Sequence, residues 1–146
     1  FVSQAASHGS KEMIKAVHTA PMPRRFYDSE DGDWQKAFQR WQTTCHWREQ
    51  TKADEMLSRP QHKFDVIKHC YPHFYHGFDN RGNLCYYILP GQMDLETLWE
   101  NEVSEYLFFQ HIIFCLEYCW ENLCPLETSR ITVIVDLNGL STTDLV

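Results

Sequence analysis

The sequence has little positive charge. Its 13 lysine and arginine residues are outnumbered by 20 aspartate and glutamate residues, so the net charge is −7. A general nucleic-acid-binding protein presents a basic face to the phosphate backbone. The composition therefore excludes a general nucleic-acid binder, and we expect no nucleic-acid partner.

The sequence also lacks a hydrophobic run long enough to cross a bilayer, which needs about 20 mostly apolar residues. The richest stretch, from Leu107 to Trp120, contains Gln110, His111 and Glu117. We therefore expect any membrane contact to be peripheral. Hydrophobic residues still make up 43% of the chain, which is enough material for a packed core.

A disulfide framework is not expected, although the chain contains six cysteines. No secretory signal peptide opens the given sequence, and Cys115, Cys119 and Cys124 fall within one predicted helix. We expect a reducing, cytosolic compartment with free and mostly buried thiols. Because the chain begins at Phe1 and ends soon after a strand-like segment, we also expect a fragment of a longer protein.

The first part of the chain is predicted to be helical. Residues 1–23 are small, polar and weakly patterned, and we expect them to form a flexible lead-in. Asp33 is predicted to cap a helix that runs to about Arg48, because apolar residues recur there at spacings of three and four. We assign residues 24–62 to a small helical region.

The second part predicts a β-hairpin, a long helix and another strand. Residues 74–89 contain an Asp-Asn-Arg-Gly turn between two aromatic-rich segments, which is typical of a hairpin. A helix capped by Asp94 should continue to about Cys124, with a break near residues 103–104. Residues 131–137 are β-branched and apolar, as in a strand covered on both faces. Strand, helix and strand predict a crossover, and hence an α/β fold.

Three sequence blocks in this order resemble the opening of CRAL-TRIO lipid-binding domains. Residues 71–95 contain a Tyr-Pro pair, an aromatic residue and His, an Asp-x-x-Gly turn, a Tyr-bearing strand and an Asp-Leu helix start. Residues 104–117 resemble the helix that follows in the family. Residues 133–141 resemble the family's apolar strand that ends in Asp-Leu-x-Gly. Upstream, residues 25–37 resemble the small helical domain that precedes the lipid pocket in this family.

The resemblance implies an α/β fold in which the helical region precedes the first half of a mixed-sheet CRAL-TRIO domain, over residues 63–146. Within the family, the sequence resembles the phosphatidylinositol/phosphatidylcholine transfer proteins. It implies a cytoplasmic, non-enzymatic protein that binds a lipid in an apolar pocket, carries it between membranes and needs no cofactor. The alternative is a module of the same family that transfers nothing and targets or scaffolds signalling proteins at membranes.

The resemblance and the strand alternation together suggest which residues form the site. Tyr87 and Arg25 are candidate contacts for a lipid headgroup. The proposed pocket wall consists of Tyr86, Ile88, Ile131, Val133 and Val135.

Two departures from the family pattern bear on the ligand. Members that carry phosphatidylcholine have hydroxyl residues at the positions of Ile131 and Val133, so a more apolar ligand or a different headgroup is favoured here. Members that bind inositides usually carry basic residues where this chain has Asp28, Glu30 and Asp31. Inositide binding is therefore disfavoured.

Other chemistries fit the sequence less well. His69, Cys70, His73 and His76 have a spacing that could bind zinc, but Pro72 interrupts the helix that would align them, so a polar loop is favoured and no metal is expected.

Catalytic readings of the remaining candidate residues are also disfavoured. Cys45, Cys85 and Cys115 lack a recognisable base, so buried thiols are favoured over a nucleophile. Asp136, with His76, could serve a small enzyme, but an Asp that forms a turn is favoured.

Overall fold

The computed structural model describes residues 21–140, so the predicted lead-in falls almost entirely outside the described residues. The chain divides into two compact units, residues 1–52 and residues 53–146. The domain boundary predicted at residues 62–63 stays a prediction. No helix within the described part is both long and apolar enough to span a membrane.

Within the part that the structure describes, from residue 21 onward, the first unit contains two helices, α1 (Arg24–Ser29) and α2 (Trp34–Thr51). Asp33 caps α2 as predicted, because its carboxylate accepts hydrogen bonds from the backbone N–H groups of Gln35 and Lys36, each at 3.1 Å. The rings of Phe26 in α1 and Trp41 in α2 meet edge-on, with 5.1 Å between their centroids. This contact pairs the two helices.

The second unit opens with a 3₁₀ segment (Ala53–Ser58) and α3 (Phe64–Cys70). After the hairpin come a short 3₁₀ turn (Pro90–Gln92), α4 (Leu95–Glu100), α5 (Glu105–Tyr118) and a π-helical turn (Cys119–Leu123).

The predicted long helix after Asp94 is therefore interrupted. Asp94 caps α4 through the N–H of Thr97 at 2.9 Å, and Ser104 caps α5 through the N–H of Leu107 at 3.3 Å. Glu102, between them, has a left-handed backbone with φ of 56°, which a continuous helix does not allow. The predicted break near residues 103–104 is confirmed.

Between residues 21 and 140 the sheet has three strands, β1 (His73–Phe78), β2 (Leu84–Ile88) and β3 (Ile131–Val135), in the order β1-β2-β3. β1 and β2 form the predicted antiparallel hairpin, and β2 pairs with β3 in parallel. A parallel pair requires a crossover connection, and α4 and α5 lie in that connection. The α/β class and the mixed sheet are confirmed.

β3 differs from its prediction. Val133 and Val135 are 54% and 50% exposed, so the expectation of a strand covered on both faces was wrong for the described residues. The apolar composition of β3 therefore marks a surface that the described residues leave half open. None of the six cysteines, which all lie within the described residues, forms a disulfide, as predicted, and four of them are buried.

The core of the second unit consists of three clusters. One joins α3 to α4 through Ile67, Cys70 and Leu98, and a second joins the 3₁₀ segment to α5 through Met56 and Ile113. The third fixes the sheet to the π-helical turn, and its buried residues are Leu84, Cys119 and Cys124. These clusters hold α3 and α5 beside β1.

Candidate functional site

One face of the sheet turns toward α5, and we call it the inner face. Tyr75, Tyr86 and Val133 are directly paired across β1, β2 and β3, so their side chains form one row on this face. The hydroxyl of Tyr75 donates a hydrogen bond to the backbone carbonyl of Cys115 in α5 at 3.1 Å. The inner face is thereby joined to the helix at its β1 end and half exposed at its β3 end.

A cavity of about 260 Å³ lies where α3, β1 and α5 meet. Most of its lining is aromatic or otherwise apolar. The lining residues are Phe64, Lys68, His73, Tyr75, Phe114, Cys115 and Tyr118.

Lys68 places an amino group at this otherwise apolar cavity. Its Nζ donates a hydrogen bond to the backbone carbonyl of His73. Burial lowers the pKa of Lys68 from its usual value, because the apolar surroundings disfavour the charged amine. An anionic group in the cavity would stabilise the charged form of the Lys68 amino group.

Three metal-ligating side chains meet beside the cavity. His73 at the start of β1 approaches His111 and Cys115, which lie one turn apart on α5, and their ligand atoms are within 4.8 Å of one another. The sequence-based reading grouped His73 with His69 and His76 instead. Both of those are exposed, whereas His73 is buried. The sequence favours a polar loop over that grouping.

The predicted pocket wall does share one surface. Tyr86, Ile88 and Val133 lie on the inner face, as do Ile131 and Val135, because all five follow the same alternation in paired strands. None of them lines the cavity itself. The cavity meets this wall through Tyr75, whose ring stacks on that of Tyr86. The role of the five predicted wall residues as lipid contacts stays a prediction.

The two predicted headgroup contacts lie elsewhere. Tyr87 points to the opposite, outer face of the sheet, where its ring stacks on Phe74 at 5.1 Å between centroids. Arg25 belongs to α1 in the first unit. The roles proposed for both residues stay predictions.

Sequence reasoning missed the residues that build the cavity. Phe114 and Tyr118 lie four residues apart on α5, and this spacing does not by itself indicate a cavity. Lys68 and Phe64 lie on the predicted short helix before Pro72, and nothing in their spacing distinguished them. Only the docking of α3 and α5 against β1 brings these residues together.

One of the two residues weighed for catalysis, Asp136, has a structural role. The Asp136 carboxylate accepts a hydrogen bond from the backbone N–H of Asn138 at 2.9 Å. The interpretation of Asp136 as a turn-forming residue is therefore confirmed. His76 is exposed on β1.

Comparisons with known proteins agree with this architecture. The family model described as the CRAL/TRIO domain matches residues 68–146. Phosphatidylinositol/phosphatidylcholine transfer protein SFH9 of Arabidopsis thaliana is 25% identical over 124 residues. The match covers 80% of this chain but 21% of that protein. The chain thus spans about a fifth of the length of the curated relative that it matches.

Proposed function

The chain belongs to the CRAL/TRIO domain family, and we propose on this basis that it binds a lipid along the inner face of its sheet. We further propose that it carries this lipid between membranes as a cytoplasmic protein that meets membrane surfaces transiently. No catalytic step is part of the proposal.

The observation that carries the proposal is the continuity of the inner face. Tyr75 lines the cavity, Tyr86 stacks on Tyr75 at 4.5 Å between ring centroids, and Val133 extends the same row into a half-exposed surface. An elongated apolar ligand could start in the cavity and continue along this row. The five residues predicted for the pocket wall share this face of the sheet, which supports the proposal.

The free energy of lipid transfer explains why such a surface must be apolar. Each CH₂ group removed from water contributes about 0.8 kcal/mol, so a carrier must replace most of the apolar contacts that the bilayer provides. The inner face presents Ile88, Val133 and Val135 for this purpose, together with aromatic rings. We assign acyl chains to the row that ends at Val133.

The polar headgroup of the lipid would contact a different side chain from those that contact the acyl chains. Lys68 is the cationic side chain among the residues that line the cavity, and a phosphate there would gain a charge-assisted hydrogen bond. We therefore propose Lys68, rather than Tyr87 or Arg25, as the first headgroup contact to test. This assignment suits a phospholipid without requiring an inositol ring.

The alternative function is an interaction module of the same family that transfers no lipid. The volume of the cavity favours this alternative, because about 260 Å³ is below the range of roughly 300–1,000 Å³ that is common for small-molecule sites. A cavity of this size would suit scaffolding or membrane targeting. The identity of a protein partner is not proposed.

Lipid extraction followed by mass spectrometry tests the proposal. The purified chain is incubated with phosphatidylcholine vesicles, separated from them and analysed for bound lipid, and transfer of labelled lipid to acceptor vesicles is followed in parallel. Val133→Asp should reduce bound lipid because it places a charge on the inner face. Ile134→Asp is the matched control, since Ile134 is the next residue of β3 and faces the outer side.

Equal loss of lipid in both variants would show only that β3 tolerates no charge. Unchanged binding in Val133→Asp, or a purified chain that extracts no lipid while remaining folded by circular dichroism, would contradict lipid binding on the inner face. Binding without transfer would support the interaction module. Lys68→Met should weaken binding of phospholipid more than binding of an uncharged lipid.

A further inference from the structure

His73, His111 and Cys115 bring three ligand atoms to one point inside the second unit. The Nε2 atom of His73 lies 3.4 Å from the Cys115 sulfur, and the Nε2 atom of His111 lies 3.6 Å from the same sulfur. Both histidines are 2% exposed. Ordinary surface clusters of polar residues do not show such burial.

These distances suit a tetrahedral metal ion. Zinc binds thiolate at about 2.3 Å and imidazole nitrogen at about 2.0–2.1 Å, so the sulfur and nitrogen ligands of one tetrahedral ion lie about 3.6 Å apart. The two distances from the Cys115 sulfur match this value without rearrangement. The spacing of His111 and Cys115, four residues apart on a helix, places both ligands on the same side of α5.

The protonation of His73 is set by a contact outside the cluster. Its Nδ1 lies 2.7 Å from the backbone carbonyl of Tyr71, which can only accept a hydrogen bond, so the ring proton lies on Nδ1. The Nε2 lone pair is then free to bind a metal. A hydrogen bond from the second ring nitrogen to a carbonyl is the usual support of a metal-bound histidine.

Burial keeps both rings neutral. It lowers the pKa of His73, and it lowers the pKa of His111 to about 4, with His73 and Lys68 acting in the same direction. Neutral imidazole is the form that binds metal ions.

Hydrogen bonding alone leaves the cluster incompletely satisfied. The Cys115 thiol has one proton, so it can donate to one of the two Nε2 atoms that face it. If His111 instead donates from Nε2, its Nδ1 becomes an acceptor, and that atom is buried without a hydrogen-bond partner. A metal ion would engage the sulfur and both Nε2 lone pairs at once, which the single thiol proton cannot do.

We propose that His73, His111 and Cys115 form a binding site for one zinc-class divalent metal ion, held by two imidazole Nε2 atoms and the Cys115 thiolate. Soft thiolate and imidazole ligands select such ions over Mg²⁺ or Ca²⁺. Three protein ligands leave the fourth position open, and His73 and Cys115 both line the cavity. The open position therefore faces the cavity, where water or a small ligand can complete the coordination.

Metal binding must displace the Cys115 proton. Burial raises the pKa of the Cys115 thiol to about 11, and Lys68 opposes that effect. One proton therefore passes from the thiol to the buffer for each ion bound, and the charge of the thiolate offsets part of the charge of the ion. The proposal departs from the expectation of no metal that the sequence alone supported, and its tests do not depend on the outcome of the lipid experiments.

Cobalt is the probe for this site, because Co²⁺ replaces zinc and reports thiolate ligation by absorbance. The purified chain in a phosphine reductant is titrated with Co²⁺ and then with Zn²⁺. We expect a thiolate-to-cobalt charge-transfer band that saturates at one ion per chain and disappears when Zn²⁺ displaces the cobalt. Cys115→Ala should abolish the band, and Cys119→Ala, one turn further along, should retain it.

A second matched pair of variants tests the histidine ligands. His73→Ala should weaken cobalt binding by at least about tenfold, since even supporting residues contribute that much, whereas His76→Ala on the same strand should not. Absence of the band in the folded, unmodified chain would overturn the proposal. A band that survives Cys115→Ala and is lost in Cys119→Ala would overturn it equally.

A measurement on the unmodified chain covers the case in which a variant fails to fold. Iodoacetamide alkylation of each cysteine is followed by peptide mass spectrometry with and without Zn²⁺. We expect Zn²⁺ to slow alkylation of Cys115 by at least about tenfold while leaving Cys45 in the first unit unaffected. Equal rates at Cys115 under both conditions would overturn the metal site, whatever the outcome of the lipid experiments.

Discussion

The rings of Tyr75 and Tyr86 stack across the β1–β2 pair, with 4.5 Å between centroids and 22° between ring planes. Tyr75 is joined to α5 by its hydroxyl, and Tyr86 is 5% exposed. The stacked pair therefore connects the hairpin to the helix. It also lies between the buried end of the inner face, beside the histidine and cysteine cluster, and the exposed end at β3.

Removal of the Tyr75 hydroxyl should test this connection. Tyr75→Phe keeps the stacking but loses the hydrogen bond to the carbonyl of Cys115, so we expect the free energy of unfolding to fall by about 0.5–1.5 kcal/mol. Urea denaturation followed by tryptophan fluorescence measures the change. Tyr106→Phe is the control. Tyr106 lies on α5, the helix that contains Cys115, and is 66% exposed, so this substitution should change the free energy of unfolding little.

Asp79 organises the turn between β1 and β2. Its carboxylate accepts hydrogen bonds from the side-chain amide of Asn83 at 2.8 Å, the hydroxyl of Thr132 at 2.7 Å, and the backbone N–H groups of Asn83 at 2.8 Å and Arg81 at 2.9 Å. These bonds, led by that of the Asn83 side chain, hold the pKa of Asp79 well below its usual range. The bond to Thr132 also ties the hairpin to β3.

Acid should therefore weaken the protein through Asp79. A carboxyl group whose pKa is lower in the folded state contributes its full stability above its unfolded pKa of about 3.9, and loses that contribution as the pH falls toward the folded value. We expect Asp79→Asn to lower the melting temperature by a constant amount from pH 5 to 8, and by progressively less below about pH 4.

Melting curves recorded from pH 8 to pH 2 measure this difference. Thr132→Val, which removes one donor to the same carboxylate, should show a smaller effect of the same sign. A difference between wild type and Asp79→Asn that stays constant down to pH 2 would mean that these hydrogen bonds do not favour the ionised form.

Local sequence patterns were sufficient to predict the elements but not the site. The capping of α2 by Asp33, the hairpin turn after Phe78 and the break before Ser104 each depend on residues within a few positions of one another. His73 and Cys115 are 42 residues apart. Their meeting depends on how α5 docks against β1, which no local periodicity contains.

The same reasoning explains the misjudged burial of β3. An uninterrupted β-branched segment predicts a strand covered on both faces, and the parallel pairing with β2 was predicted correctly. Burial depends in addition on which elements pack on each face. The described residues cover the inner face near β1 and leave Val133 and Val135 half exposed.

The core cluster between α3 and α4 should be sensitive to lost volume. Ile67 is fully buried and contacts the cluster that includes Leu98, so Ile67→Ala should destabilise the second unit by about 2–5 kcal/mol. Leu95→Ala is the matched control, because Leu95 opens α4 and is 47% exposed. Urea denaturation measures the free energy of unfolding of each variant. Equal losses of this free energy in the two variants would contradict the packing described for α3.

A methyl group at Gly91 should displace the turn that follows β3. A Cβ atom there would lie 2.7 Å from the backbone nitrogen of Leu140 and 2.9 Å from the carbonyl carbon of Asn138, and backbone atoms cannot yield as a flexible side chain can. We expect Gly91→Ala to cost about 1–3 kcal/mol, as overpacking usually does. It should also speed hydrogen exchange at the amide of Leu140, which donates to the carbonyl of Leu137.

Gly77→Ala provides the contrast for Gly91. Gly77 has φ of 67°, and a Cβ atom there would meet nothing within 4 Å, so its substitution strains the backbone of β1 without touching the later turn. Exchange at the Leu140 amide should therefore stay at the wild-type rate in Gly77→Ala and rise in Gly91→Ala. Equal exchange rates in the two variants would mean that Gly91 does not hold the turn after β3 in place.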